Sequence, residues 1–197
     1  MTKVKNQIIA GMDEAGRGSW AGPVLASAVI LPKGLKLAGL NDSKLLTEAK
    51  REELYKKITT SCQFGIGMAT HTEVDNHGLL HATYLAFKRA LDALPIKPSH
   101  ILIDGRDKFT FTVPHTSIIK GDQKIRAISA ASIVAKVSRD RLMKDLALKY
   151  PSYGFEEHKG YGTERHQNAL KDYGPSEIHR KSYTPIKNLI CRQEAFL

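Results

Sequence analysis

The sequence predicts a single α/β domain, residues 1–197, in which a mixed β-sheet is flanked by helices and followed by a helical C-terminal part. Two observations support this prediction. Short apolar runs of strand length recur over the first 120 residues, and segments with helix-capping residues lie between and after them. The length of 197 residues is sufficient for one domain with a sizeable core. We place the α/β core at about residues 1–150 and the helical part at about 151–197.

Five segments are predicted to be strands. Residues 6–12 and 24–31 are apolar runs joined by a glycine-rich turn. Residues 62–70 alternate between large apolar residues and glycine, which is the period of a strand. Residues 100–105 form a short apolar run that ends in an Asp-Gly turn signal, and residues 116–120 form the fifth candidate.

Five segments are predicted to be helices, each with a capping residue at its start or a helix breaker at its end. The expected bounds are Thr47 to about Thr59, Asp75 to the residues before Pro95, residues 123–149, Thr163 to Gly174, and a short helix from about Pro185. The third of these is rich in alanine, and small side chains allow a helix to lie close to a sheet.

The composition favours an anionic partner. The chain carries 30 Lys and Arg against 20 Asp and Glu, a formal net charge of +10, which favours nucleic acid. Cys62 and Cys191 are the two cysteines, too few for a disulfide framework or a paired-cysteine zinc site, and we expect a reducing, cytoplasmic setting. We expect neither a signal peptide nor a membrane helix, which needs about 20 apolar residues.

Acidic residues fall at or just after the ends of predicted strands. Asp13 and Glu14 follow the first strand, Asp104 lies at the end of the fourth, and Asp122 follows the fifth. Ligands of such sheets gather beyond strand ends. Carboxylate oxygens suit Mg²⁺ or Mn²⁺, and two such ions can bind the attacking and leaving oxygens of a phosphodiester displacement. The pattern therefore indicates metal-dependent chemistry on a nucleic acid.

Each acid also has a purely structural interpretation. Asp13 and Glu14 suit a solvated turn, Asp104 begins a common turn dipeptide, and Asp122 suits the cap of the following helix. Asp140 is typical of an ion pair on a helix face. Adjacent strand residues point to opposite faces, so Asp13 and Glu14 can share a site only where the strand ends or is distorted.

The glycine-rich segment 16–22 partly resembles a dinucleotide-binding fingerprint. Its spacing differs, and the segment after it is predicted to be a strand, whereas the fingerprint opens a helix. A nicotinamide enzyme is therefore disfavoured. We interpret the segment as a backbone surface for a sugar-phosphate chain, with Arg17 as a phosphate partner. It is also consistent with a tight hairpin in which glycine adopts positive φ, and both interpretations can hold together.

The C-terminal third is basic and contains interleaved tyrosines. Residues 158–192 carry seven Lys or Arg against three acids, a combination that suits a nucleic-acid track. An ordinary solvated helical surface with core tyrosines is the alternative. Tyr161 stands between two glycines and can present its ring to a ligand. The histidines at 158, 166 and 179 have no zinc-site spacing, so a histidine metal site is not expected.

Taken together, these segments resemble the bacterial type 2 ribonucleases H, the ribonuclease HII family. The resemblance covers nearly the whole chain in order, and the motifs are highly specific in combination. The matching segments are Met12-Asp13-Glu14-Ala15-Gly16-Arg17-Gly18, Ala21-Gly22-Pro23-Val24, Leu40-Asn41-Asp42-Ser43-Lys44, Ile103-Asp104-Gly105, Lys120-Gly121-Asp122, residues 130–140, His158-Lys159-Gly160-Tyr161-Gly162-Thr163 and His179-Arg180-Lys181-Ser182-Tyr183. Departures are Ser19 where the family commonly has Pro, Trp20 for an aliphatic residue, and Leu45 for Lys, which removes a phosphate contact.

The resemblance implies an RNase H-like fold and a set of site residues. The implied ligands of catalytic Mg²⁺ or Mn²⁺ are Asp13, Glu14, Asp104 and Asp122. The implied substrate-binding residues are Gly16, Arg17 and Gly18 at the ribose 2′-hydroxyl, Tyr161 at the sugar of the neighbouring deoxynucleotide, and Lys44.

The activity implied by the resemblance is endonucleolytic hydrolysis of the RNA strand of RNA–DNA hybrids, and cleavage of DNA on the 5′ side of a single ribonucleotide. In that mechanism two metal ions activate a water and stabilise the leaving 3′-oxygen, giving 5′-phosphate and 3′-hydroxyl ends. We expect a monomer. The alternatives are a non-catalytic nucleic-acid-binding module, a resolvase- or integrase-like DNA nuclease, and, more remotely, an enzyme of free nucleotides.

Overall fold

A five-stranded sheet in the order β3-β2-β1-β4-β5 forms the centre of the structure, a computed structural model that describes residues 7–40, 43 and 46–194. The strands are β1 (Ile9–Ala15), β2 (Val24–Ile30), β3 (Gln63–Ala69), β4 (His100–Asp104) and β5 (His115–Ile118). β2 is antiparallel to β1 and β3, whereas β4 is parallel to β1 and β5. The predicted mixed sheet flanked by helices is therefore confirmed.

Eight α-helices surround or follow the sheet in the described residues. They are α1 (Glu48–Ser61), α2 (His71–His77), α3 (Leu79–Asp92), α4 (Gly121–Lys124), α5 (Arg126–Lys149), α6 (Phe155–His158), α7 (Glu164–Tyr173) and α8 (Thr184–Glu194). Thr47 caps α1 and Thr163 caps α7, as predicted, because each side chain accepts a hydrogen bond from a main-chain N–H three residues later. The helical C-terminal part is also as predicted.

The first strand extends further than predicted. It was expected to end at residue 12, but β1 continues through the two acids to Ala15. Asp13 lies opposite Ser27 and Glu14 opposite Ala26 in the ladder with β2. Cross-strand pairing therefore overrides the low strand propensity of acidic residues.

The helix predicted to begin at Asp75 is two helices, α2 and α3, which meet at Gly78 with φ 80°. Thr70, not Asp75, caps the first of them. The Thr70 side chain accepts from the N–H of Glu73, whose carboxylate accepts from the N–H of Thr70, a capping box. The Asp75 carboxylate instead accepts hydrogen bonds from the N–H groups of Lys181 and Ser182, 2.9 Å each, and so ties α2 to the C-terminal part.

The helix predicted over residues 123–149 is also divided, into α4 and α5. Ile125 between them is extended, with φ −121° and ψ 114°. Asp122 is therefore not the cap of the long helix but a buried residue of the short α4. The short α4 is hydrogen-bonded to the end of β4 through the N–H of Gly121.

Helices cover both faces of the sheet. α3 packs on one face in a cluster that includes Met12 and Phe87, and α1 and α5 pack on the other in a cluster that includes Leu54 and Ile133. Gly11 permits the closest approach, because a Cβ there would lie 2.1 Å from the carbonyl carbon of Ala127. The first turn of α5 is thus held against β1 beside the acidic residues.

A third apolar cluster joins α5, α6, α7 and α8, with Phe155 fully buried within it. An isolated β-bridge pairs Ala21 in the glycine-rich turn with His179. The C-terminal part is therefore attached directly to the connection between β1 and β2. Over the described residues, no helix has the length and apolar character to span a bilayer.

Candidate active site

The acids of β1 and β4 lie at the same end of the sheet because these two strands are parallel neighbours. Met12 is opposite Ile103, and the next residue in each strand is an aspartate, Asp13 and Asp104. The N–H of Gly121 donates to Oδ1 of Asp104 at 2.6 Å, which brings α4 against this end. Asp122 is the next residue in that helix. Sequence-distant acids are therefore brought to one edge of the sheet.

Asp13 is buried at this end of the sheet, with 6% of its surface exposed. Burial raises its pKa well above the ordinary value, and the negative charges of Glu14 and Asp104 raise it further, against a hydrogen bond from Ser132. A carboxylate in this position is costly when ionised, and a cation would offset that cost.

Glu14 shares this environment although it is adjacent to Asp13 in the same strand. Its N–H donates to Oδ1 of Asp13 at 2.7 Å, and its carboxylate lies 3.3 Å from the guanidinium of Arg17. Burial raises the pKa of Glu14, Arg17 opposes that shift, and Asp104 and Asp107 add to it. Both β1 acids therefore interact electrostatically with Asp104 without the break in the strand that the sequence analysis required.

The donor chemistry of this group suits a hard divalent cation, because each ligand would be a carboxylate oxygen. Within the described ranges, however, no three acidic, histidine or cysteine side chains are arranged closely enough to hold a metal ion. Glu14 faces Arg17 instead. The structure thus assembles the acids without forming a closed metal cage.

Arg17 does not extend freely into solvent, as a phosphate partner would. Its guanidinium also lies 2.6 Å from a carboxylate oxygen of Asp107, a residue that the sequence analysis did not single out. Asp107 follows β4 by three residues, and Ser117 in β5 donates to its carbonyl at 3.0 Å. The segment after β4 therefore supplies a carboxylate, that of Asp107, which holds Arg17.

The glycine-rich turn, residues 16–22, lies against the Tyr161 loop, the segment of residues 159–162 between α6 and α7. A Cβ on Gly18 would lie 3.9 Å from the Tyr161 ring, which is 37% exposed. The N–H of Trp20 donates to the Gly160 carbonyl at 2.8 Å, and the Trp20 ring lies against Gly162, where a Cβ would come within 2.1 Å of it. Trp20, a departure from the family pattern, thus connects the two predicted recognition segments. Lys44 and Leu45 lie outside the described residues.

The three C-terminal histidines contact one another and polar groups nearby. The Nε2 atoms of His166 and His179 share a hydrogen bond of 2.9 Å, and the rings of His158 and His166 are stacked with centroids 4.6 Å apart. Burial lowers the pKa of His166 to about 4 and that of His179 to about 3, so both are neutral at pH 7. His166 also contacts the Tyr161 carbonyl at 3.0 Å, which supports that loop.

Asp140, interpreted from sequence as an ion-pair residue, does have such a partner. Its carboxylate lies 2.8 Å from Nζ of Lys136, one turn earlier in α5. The functional candidates that the sequence analysis missed are Asp107, Arg139 and Arg180. The available signal for Arg139 was its position at the end of the alanine- and valine-rich stretch of α5, where a charged residue needs a specific reason.

Comparisons with known proteins identify the family and support the fold of this chain. The family model described as Ribonuclease HII matches residues 10–186. Ribonuclease HII of Bacillus cereus (strain B4264) is 50% identical over 183 residues, 92% of this chain and 71% of the relative. The ribonuclease H2 structure from Pyrococcus horikoshii OT3 superposes with a TM-score of 0.80 at 29% identity, covering 94% of this chain and 98% of that one.

A more distant structure supports the fold alone. Bst-RNase HIII in complex with Mn²⁺ has a TM-score of 0.69 at 16% identity, with 98% of this chain and 72% of that one covered. The extent of the family match, together with 50% identity over most of the chain, favours an RNA-cleaving enzyme over a binding module or a DNA nuclease. The chain therefore belongs to the ribonuclease HII family of RNA-strand endonucleases.

Proposed function

We propose that this endonuclease cleaves the RNA strand of RNA–DNA hybrids and cuts duplex DNA on the 5′ side of a single ribonucleotide, leaving 5′-phosphate and 3′-hydroxyl ends. The observation that carries the proposal is the meeting of Asp13, Glu14 and Asp104 at one sheet edge, beside a glycine-rich turn and an exposed tyrosine ring. The net charge of +10 favours the polyanionic substrate.

We propose that Asp13, Glu14, Asp104 and Asp122 hold Mg²⁺ or Mn²⁺. Divalent cations at these carboxylates would make the attacking water more acidic and stabilise the leaving oxygen. The Gly121 N–H orients the Asp104 carboxylate for this role. Glu14 would be available to such a cation once its carboxylate gave up the contact with the Arg17 guanidinium, and Asp107 would keep Arg17 in place.

The proposed recognition of the ribonucleotide uses the turn and the tyrosine. The backbone at Gly16, Arg17 and Gly18 contacts the ribose 2′-hydroxyl, which is both a donor and an acceptor and so distinguishes RNA from DNA. The Tyr161 ring packs on the sugar of the next deoxynucleotide. The facing positions of Gly18 and Tyr161 support this division of roles. Lys44 is proposed as a further substrate-binding residue from the resemblance alone.

The test is cleavage of an end-labelled DNA duplex that contains one ribonucleotide, with Mg²⁺, with Mn²⁺ and with a chelator. We expect one cut, on the 5′ side of the ribonucleotide, only when a divalent cation is present. The control duplex differs by the loss of the single 2′-hydroxyl and should remain intact. Cleavage of that control or of a branched all-DNA substrate would instead indicate a DNA nuclease, and binding without any cleavage would indicate a binding module.

We further propose that the enzyme acts as a monomer in the cytoplasm. Sedimentation equilibrium of the purified protein, with and without the ribonucleotide-containing duplex, tests the first part. A mass near twice the 21.8 kDa of the chain would contradict it.

A further inference from the structure

Two fully buried arginines lie behind the glycine-rich turn. Arg139 in α5 is 1% exposed, and Arg180, between α7 and α8, is 0% exposed. The hydrogen-bond acceptors that the structure gives them are main-chain carbonyls and hydroxyls, all of them neutral. Burying a cation with neutral partners is costly, and the groups that these two arginines hold in place are those of the glycine-rich turn.

Arg180 binds the start and the end of the turn at once. Its Nη2 donates to the Gly16 carbonyl at 2.7 Å, its Nη1 to the Arg17 carbonyl at 2.8 Å, and its Nε to the Gly22 carbonyl at 3.0 Å. The hydroxyl of Tyr183 accepts from Nη1 and donates to the same Arg17 carbonyl. Only the planar fork of a guanidinium has donors in this arrangement.

Arg139 binds the remaining part of the turn and the Tyr161 loop. It donates from Nε to the Pro23 carbonyl at 3.0 Å and from Nη2 to the Ala21 carbonyl at 3.2 Å. Nη2 also donates to Oγ of Ser19 at 2.6 Å, and that hydroxyl donates to the Gly16 carbonyl. Nη1 reaches the Lys159 carbonyl at 3.0 Å, two residues before Tyr161.

These contacts determine which side of the turn is available to a substrate. In a trans peptide unit the carbonyl and the N–H of the next residue point in opposite directions. The carbonyls of Gly16 and Arg17 point to the buried arginine, so the N–H groups of Arg17 and Gly18 point away from it. These are donors in the segment proposed to contact the ribose.

We propose that Arg139 and Arg180 are positioning residues, which fix the carbonyls of the turn inward and thereby present its N–H groups to the ribose, setting the preference for a ribonucleotide over a deoxynucleotide. The inference rests on the proposed role of the turn. It adds residues that touch no substrate but determine the geometry of those that do.

The experiment measures dissociation constants in the presence of a chelator for two DNA duplexes that differ by one 2′-hydroxyl. The variants are Arg180→Lys, which keeps the charge but loses the fork, and Tyr183→Phe, which removes one hydroxyl and keeps the ring. Arg89→Lys is the matched control, because Arg89 is exposed and pairs with Glu73. A smaller fraction of folded protein changes the apparent dissociation constants of both duplexes by the same factor. The ratio of the two dissociation constants therefore stays the same if the substitution affects only folding.

We expect the preference for the ribonucleotide to fall about tenfold in Arg180→Lys, about threefold in Tyr183→Phe, and not at all in Arg89→Lys. Steady-state KM for the ribonucleotide-containing duplex should rise more than kcat falls. If the ratio of dissociation constants is unchanged in both Arg180→Lys and Tyr183→Phe, the positioning role is overturned. Tyr183→Phe alone decides the question where Arg180→Lys fails to fold. A wild-type ratio near one overturns the proposed recognition by the turn, and the positioning role with it.

Discussion

Buried charged groups have opposite kinds of partners in two regions of the molecule. One region is the acidic edge of the sheet, at Asp13, Glu14 and Asp104, and the other is the polar network around Arg139 and Arg180. At the acidic edge, burial and neighbouring carboxylates raise the pKa of Asp13 and of Glu14, and Arg17 is shared between Glu14 and Asp107. Arg139 of α5, together with Arg180 and the histidines of the C-terminal part, is instead hydrogen-bonded to neutral groups. Among the described residues, no buried side-chain nitrogen or oxygen lacks a hydrogen-bond partner.

The difference distinguishes two uses of polar groups inside a protein. Clustered acids with unfavourable mutual electrostatics are ready to bind a cation, whereas a hydrogen-bonded network gives the backbone one rigid shape. Substitutions at the acidic edge should therefore affect chemistry more than folding. Substitutions in the C-terminal network should affect substrate preference and stability more than the chemical step.

The largest effect is expected for Asp13→Asn. Loss of a carboxylate ligand should lower the cleavage rate by about 1,000-fold or more, because the proposed cation then loses a hard anionic donor. Binding of the hybrid should be unchanged or tighter, since one negative charge near the phosphate is removed. The measurements are single-turnover cleavage and equilibrium binding.

Asp92→Asn is the control for this change, because Asp92 is an exposed helix residue paired with Lys88. It should cleave at the wild-type rate. The melting temperature of Asp13→Asn at neutral pH should not fall, since burial already disfavours the ionised form of Asp13. A variant that cleaves at a near wild-type rate would show that the site is wrongly assigned.

Gly16→Ala tests the contact between the two regions, because Gly16 directly follows the acidic end of β1 and lies against Arg139. Gly16 has φ 92°, and a Cβ there would lie 1.9 Å from Nε of Arg139. Gly34 also has positive φ, 77°, but no atom lies within 4 Å of its would-be Cβ. We expect Gly34→Ala to cost about 1 kcal/mol of unfolding free energy from backbone strain, and Gly16→Ala about 3 kcal/mol or more from strain and the clash together.

Urea unfolding of both glycine variants provides the measurement. Equal costs would mean that Arg139 moves aside easily, and the rigid attachment of the turn would then be refuted.

Tyr161→Ala should have a smaller effect, confined to substrate engagement. Loss of one ring contact is worth about 1–3 kcal/mol, so KM for the single-ribonucleotide duplex should rise about tenfold with kcat less affected. Tyr173→Ala is the matched control, since Tyr173 is 63% exposed on α7 and its ring lies against that of Tyr153, with centroids 6.3 Å apart. Similar KM values for Tyr161→Ala and wild type would remove the tyrosine from the proposed recognition.

The buried histidines His166 and His179 are expected to have the smallest effect on the unfolding free energy at neutral pH. Their effect should become measurable only at acidic pH. The pKa values of His166 and His179 in the folded state, about 4 and about 3, lie below the ordinary 6.5. Protons then bind the unfolded chain more tightly, so stability is complete above pH 6.5 and is lost as the pH falls from 6.5 towards 4. Each group can remove up to about 1.4 kcal/mol per pH unit in that window.

The unfolding free energy of wild type and of His179→Gln, measured from pH 7.5 to 4.5, tests this dependence. His179→Gln should have the shallower slope, and the exposed His81→Gln should match wild type. Parallel slopes for all three proteins would mean that the C-terminal histidines are not buried in neutral form.

Local features of the fold were predictable where the signal lies within one turn of chain. Thr47 and Thr163 cap their helices because a hydroxyl three residues before a free N–H satisfies it wherever the helix packs. The break at Gly78 was missed, because glycine is also tolerated inside helices. The extension of β1 through Asp13 and Glu14 was missed because the pairing partner, β2, decided it.

The sequence by itself determined the α/β class, the acids at strand ends and the basic charge, because periodicity, residue type and net charge are properties of the chain. Only the tertiary structure decided that Asp13 and Asp104 are neighbours, that Asp107 holds Arg17, and that Arg139 and Arg180 turn the carbonyls of the glycine-rich turn inward. Those contacts join residues about 90 to 160 positions apart. Such pairings depend on which strands and helices pack together, and local sequence carries no record of that choice.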